Sequence, residues 1–96
     1  MNLQITEVQV VPIKPTDGLV GFASFVLNES LFLGGIGIYT RPDGGYRLTY
    51  PIRKLTNKGV NIFYPIKKEA GKQIEDAIVN KFEEVMNHDR YNNSCS

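Results

Sequence analysis

Apolar residues recur at every second position in several stretches of this chain, and turn-forming residues separate the stretches. Leu3 and Ile5, then Val8 and Val10, alternate with polar neighbours but change phase near Glu7. Residues 3–14 are therefore predicted to form a strand with a bulge, ending at the turn Pro15-Thr16-Asp17-Gly18. In residues 19–27, Val20, Phe22, Ser24 and Val26 fall on one face and Leu19, Ala23, Phe25 and Leu27 on the other. Apolar residues on both faces predict a central strand covered on both sides. After an Asn28-Glu29-Ser30 turn, residues 31–39 place Ile36 and Ile38 in alternation with Gly35 and Gly37.

Pro42-Asp43-Gly44-Gly45 is the strongest turn signal, because Pro presets the first turn dihedral and glycine accepts positive φ without a steric penalty. It predicts a hairpin whose second arm, residues 46–50, has Tyr46, Leu48 and Tyr50 on one face and Arg47 and Thr49 on the other. Pro51 ends the ladder, and Arg53-Lys54 opens a loop running through Gly59. Val60, Ile62 and Tyr64 alternate in a fifth strand stopped by Pro65. From Glu69 to about Met86 the period becomes helical: Ala70, Ile74, Ala77, Ile78, Phe82, Val85 and Met86 form one stripe. The expected fold is α+β: a small antiparallel sheet of about five strands with one C-terminal amphipathic helix packed on it. Residues 1–87 make a single domain, and residues 88–96, which lack periodicity, are expected to form a flexible polar tail.

Composition narrows the function classes. With 42% hydrophobic and 22% charged residues, the 96-residue chain has enough apolar content for one modest core, which oligomerisation would help to complete. No apolar run approaches the ~20 residues of a membrane helix, and the N-terminus lacks the basic-then-apolar layout of a signal peptide, so a cytoplasmic protein is expected. The single histidine, His88, and the single cysteine, Cys95, have no neighbours suited to nucleophilic or metal-assisted chemistry. Glu83 and Glu84 are adjacent, so on a helix they diverge and cannot act as a facing acid/base pair. Gly34-Gly35-Ile36-Gly37 lacks the Lys-Ser/Thr ending of a phosphate loop and a following helix, and suits close packing of strands, or of two subunits, instead. An enzyme, a metal site, a cofactor and a small-molecule substrate are not expected.

Charge is segregated. Residues 41–72 carry eight of the eleven basic residues (Arg41, Arg47, Arg53, Lys54, Lys58, Lys67, Lys68, Lys72) against Asp43 and Glu69, a net of +6 in a chain of net +1. Such a segment attracts polyanions through counterion release, although a lysine-rich solvated surface has the same composition. The helix is also charged against its dipole: Lys67, Lys68 and Lys72 crowd its start, Glu83 and Glu84 lie near its end, and no Ser, Thr, Asp or Asn caps it. A phosphate bound at that end would make the arrangement favourable. Tyr39, Tyr46, Tyr50, Phe63 and Tyr64 interleave with the bases, as nucleic-acid surfaces do, yet alternation assigns most of these rings to the core.

The ordered segments Ile5-Thr6-Glu7-Val8, Ala23-Ser24-Phe25, Tyr50-Pro51-Ile52-Arg53-Lys54, Tyr64-Pro65-Ile66 and Ile74-Glu75-Asp76-Ala77-Ile78 resemble the bacterial septation-regulator family SpoVG (stage V sporulation protein G) across residues 3–85. The resemblance implies an antiparallel sheet with a packed helix, a dimer formed through strand contacts, and a regulator affecting gene expression, septation or sporulation by binding DNA or RNA through basic residues. The family's Pro-x-basic-basic segment falls on Pro51, Arg53 and Lys54, which makes that pair the first choice for phosphate contact. The chain departs from the family at the helix start, where Lys67, Lys68 and Glu69 stand in place of Ser or Thr, and in the third strand, where Gly35 and Gly37 replace polar residues.

Two function classes follow. In the first, a dimeric regulator holds nucleic acid on a basic strip: Arg53, Lys54 and Lys58 from the loop, Lys67, Lys68 and Lys72 from the helix start, Arg41 and Arg47 from the hairpin. Arg53 is the better placed of the loop pair to read a base, since guanidinium binds guanine bidentately. In the second, a protein-interaction module docks a partner through its sheet edge or acidic helix face, and the bases only steer encounter.

Overall fold

The computed structural model describes the backbone of residues 3–94 and the side chains of residues 3–87. Four strands form an antiparallel sheet in the order β1-β2-β3-β4: β1 (Ile5–Thr16), β2 (Leu19–Leu27), β3 (Leu31–Thr40) and β4 (Tyr46–Thr49). Two short strands, β5 (Ile52–Leu55) and β6 (Lys58–Asn61), make a separate hairpin, and α1 (Lys68–Ser94) closes the chain. The fold is therefore α+β, as the alternation predicts, with its strands divided between two sheets.

Helix α1 lies across one face of the four-stranded sheet. Ile74, Ile78 and Phe82 from its apolar stripe meet Ala23, Phe25, Ile36 and Ile38 in a buried core. The Tyr46 ring closes one side of that core, edge-on to Phe82 with centroids 5.2 Å apart. Gly21 gives the helix room to approach: a Cβ there would lie 3.1 Å from the Phe82 ring and 3.0 Å from the Val11 carbonyl oxygen. The helical backbone continues through Ser94, beyond the stripe that ends at Met86, because residues 87–94 contain neither Pro nor Gly to break it. Cys95 and the side chains of the expected tail lie outside the described residues.

Bulges set the pleat. The phase change near Glu7 is a register shift between Thr6 and Gln9, with Glu7 at φ 50°. Across β2 a second shift places an extra residue on β3, where Gly35 adopts φ 75° opposite the same stretch. Gly34-Gly35 thus serves strand geometry, as expected from its lack of a phosphate-loop ending. The Pro42–Gly45 turn forms as predicted, with Gly44 and Gly45 at φ 102° and 80° and the Arg41 amide bonded to the Gly45 carbonyl at 3.0 Å.

Three expectations are corrected. Arg53 and Lys54 lie in strand β5, not in a loop, and the strand expected around Val60–Tyr64 is β6, which ends at Asn61. The reason is the two-residue connection Thr56-Asn57: Thr56 takes φ 57°, which returns the chain at once, and the Ile62 amide bonds the Pro51 carbonyl at 2.8 Å to close the base. Strand β2 is central but is covered on one face only. Phe22, facing away from the helix, is 42% exposed, because α1 is the one layer available among the described residues.

Candidate nucleic-acid interface

Edge strand β4, the start of α1 and the segment before it enclose a groove of about 580 Å³. Leu48, Tyr50 and Pro65 line it together with the exposed Ile66, and its charged lining is Arg41, Arg47, Lys67, Lys68 and Lys72, with Glu75 the one acid. Five of the eight basic residues singled out in the sequence therefore converge. They do so because α1 runs antiparallel to β4: Tyr46 at the turn end packs on Phe82, while the helix start lies beside Tyr50 at the other end, so Arg41 and Arg47 from the hairpin and Lys67, Lys68 and Lys72 from the helix reach one groove along a single short strand.

The helix start is open to an anion. The Gly71 amide bonds the Lys67 carbonyl at 3.0 Å, which makes Lys67 the capping position. A lysine side chain has no acceptor to offer the first free N–H groups. Arg41 is held in place by Nε–H donation to the Tyr46 carbonyl at 3.1 Å, and its Nη2 lies 4.0 Å from Glu75 Oε1. Lys72 lies 3.7 Å from Asp76 on the helix surface. Among the described residues Arg47, Lys67 and Lys68 have no acid within ion-pair distance. These exposed pairs hold their partners weakly and leave them available to a polyanion.

Arg47 stacks instead on an aromatic ring: its Cζ lies 4.6 Å from the centroid of Tyr39, its cross-strand neighbour. Alternation places Tyr46 on the face opposite Arg47, and Tyr46 does pack against the core. The pairing of 39 with 47 follows from counting outward from the Pro42–Gly45 turn. Tyr50 was likewise assigned to the core side; it packs edge-on against Phe63 at 5.8 Å and also lines the groove. Burial, and to a smaller extent the Glu75 carboxylate, push its phenol above the ordinary 10.0.

Arg53, Lys54 and Lys58 do not line the groove. They stand on the β5–β6 hairpin, all exposed. Adjacent strand residues point to opposite faces, so Arg53 and Lys54 cannot grip one phosphate together; Arg53 shares its face with Lys58, two ladder positions away. Among the described residues no group of His, Cys, Asp and Glu is arranged to hold a metal, and no helix is long and apolar enough to cross a membrane.

A one-helix, open-faced antiparallel sheet with a cation-lined groove at its edge defines a small α+β domain. The SpoVG family model matches residues 3–84, which is most of the chain. This protein belongs to the SpoVG family. It is also similar to a Treponema denticola protein that bears the septation-protein SpoVG name, with 29% identity over 84 residues, covering 86% of this chain and 89% of that one.

Proposed function

We propose that the protein is a cytoplasmic, non-enzymatic regulator of the SpoVG type that acts as a homodimer and binds DNA or RNA through its basic groove. One observation carries the reading: five cations from two distant runs of sequence line a single groove that holds one acid and ends at an uncapped helix start. Phosphates of a nucleic-acid backbone satisfy both the side chains and the free N–H groups. Arg53, Lys54 and Lys58 extend the strip from the hairpin, and a twofold axis doubles it. The name of the Treponema relative supports a role in septation.

The test is binding of duplex DNA, single-stranded DNA and RNA of mixed sequence across several salt concentrations. The Lys67→Ala/Lys68→Ala variant is expected to bind more weakly and to flatten the logarithmic salt slope by about 0.9 per lost phosphate contact on duplex and about 0.7 on single strands. An unchanged slope in a folded variant removes the groove from the interface. The same measurement on Arg53→Ala/Lys54→Ala decides whether the hairpin contributes.

A protein-docking reading draws on a different feature. A hollow of about 460 Å³ between the end of the sheet and the helix is walled by Leu27, Leu31, Leu33, Phe63, Ala70 and Ile74. On that reading nucleic acid binds weakly without preference, and a protein partner is recovered in stoichiometric amount.

A further inference from the structure

The face of the sheet opposite α1 is uncovered, and its side chains are arranged unlike those of a core. Val11, Phe22 and Phe32 are 62%, 42% and 70% exposed. Between them lie Gly34, Gly35 and Gly37, so the surface alternates rings with flat backbone. Two shallow hollows share Phe22 and Gly35: one runs to Tyr39, Thr49 and Pro51 at the β4 edge, the other to Gln9, Ser24 and Phe32 toward β1. No charged residue lines either hollow.

The glycines let rings lie down on the sheet. A Cβ on Gly34 would meet the Phe32 ring at 3.1 Å, and one on Gly37 would meet the Tyr39 ring at 3.2 Å. Arg47 then lies over Tyr39 at 4.6 Å while also walling the basic groove. One residue therefore belongs to both surfaces. Tyr50 is the second such joint, lining the groove and the nearer hollow.

We propose that this open face is a stacking platform for the bases of single-stranded nucleic acid whose phosphates run in the basic groove. The proposal rests on the nucleic-acid reading above and names the form of polymer. Aromatic faces and a guanidinium plane stack on unpaired bases, whereas the bases of a duplex already stack on one another and present only their edges. Thr49, Ser24 and Gln9 supply hydroxyl and amide groups beside the rings for base edges. The occupant is a polyanion with flat apolar groups because the platform has no charge of its own and adjoins the cation-lined groove along β4.

Phe32 is mostly exposed, so its replacement leaves the core intact. Phe22→Ala and Phe32→Ala are each expected to weaken binding of a single-stranded oligonucleotide by roughly 5- to 150-fold, the range of one base–aromatic stack. Duplex affinity and the salt slope are expected to stay unchanged, and Phe32→Tyr is expected to restore binding. A second readout does not depend on affinity. The chain has no Trp and five Tyr, so Phe32→Trp introduces one indole, which is excited selectively at wavelengths the tyrosines do not absorb and whose emission is expected to be quenched by single-stranded oligonucleotide and not by duplex. If single strands bind Lys-dependently while both Ala variants bind like the parent and the Trp is not quenched, the platform is wrong and the groove stands. If Phe22→Ala and Phe32→Ala convert a dimer to a monomer in sedimentation without a monomer-independent loss of binding, the face is a self-interface and the proposal falls. If no polymer binds the parent protein, groove and platform fall together.

Discussion

The four-stranded sheet with α1 and the β5–β6 hairpin are built from similar residues, yet one is closed and the other open. In the first, Phe25, Ile36, Ile38, Ile78 and Phe82 are buried essentially completely. In the second every strand residue is exposed, and Ile52, Leu55 and Val60 are each about half exposed (55%, 53% and 49%). A two-stranded hairpin is at best marginally stable in water without a layer to pack on. Stability therefore resides in the sheet and helix, while the hairpin presents apolar and basic side chains together, a surface suited to contact rather than to folding.

The largest test of that contrast is in the core. Phe82 touches Tyr46, faces Gly21 and joins the helix to the sheet. Phe82→Ala is expected to cost about 3–5 kcal/mol, since it removes a buried ring and leaves a cavity that the rigid strands cannot close. Urea denaturation followed by circular dichroism measures it. A loss below about 1 kcal/mol would mean that the helix contributes little to holding the sheet.

A smaller effect is expected at the junction of the two regions. Tyr50 ends β4's run, packs on Phe63 beyond the hairpin, and has its phenol pushed above 10.0 by burial first and by Glu75 second. Above pH 10 the unfolded chain releases this proton while the folded protein keeps it, so the native state binds more protons and stability falls as pH rises. Below that pH both states hold the proton and the residue contributes no pH dependence. Tyr50→Phe is therefore expected to show a shallower loss of stability than the parent above pH 10 and a parallel curve below it. Denaturant midpoints at matched pH values check this. Equal slopes would place Tyr50 in an environment no different from the unfolded chain.

What was legible in the sequence tracks what the chain buries within itself. Alternation located β1 to β4 because one face of each packs on α1, and the phase change at Glu7 located its bulge for the same reason. The stripe from Ala70 to Met86 located the helix. The hairpin was missed because neither of its faces is buried, so Arg53-Lys54-Leu55 carries no period to read, and Thr56 is not a residue that announces a left-handed turn. Apolar residues on both faces of β2 were read as burial on both sides; the pattern records a surface suited to burial but not what covers it. Charge segregation identified the bases of the groove, but only the fold separates Arg41, Arg47, Lys67, Lys68 and Lys72 from the three on the hairpin. The resemblance to the SpoVG family had put Arg53 and Lys54 first, and these two stand on the hairpin, outside the groove.

The smallest expected effect makes the comparison sharpest. Leu55 and Val60 lie on the same face of the hairpin as Arg53, and neither belongs to the core or the half-buried shell around it. Replacing both by Ser removes apolar surface about half of which is already in water, so dilute protein is expected to lose no more than about 1 kcal/mol, about 0.5 for each substitution. If this face carries the proposed dimer contact, the same double variant dissociates the dimer at concentrations where the parent remains associated, and Arg53 and Lys58, which share the face, then belong to that contact and not to the nucleic-acid strip. Sedimentation across a concentration series, paired with urea denaturation at the lowest concentration, separates the two effects. A large loss of stability in the dilute variant would show that the hairpin packs on its own sheet after all, and unchanged association would assign the dimer contact to another surface.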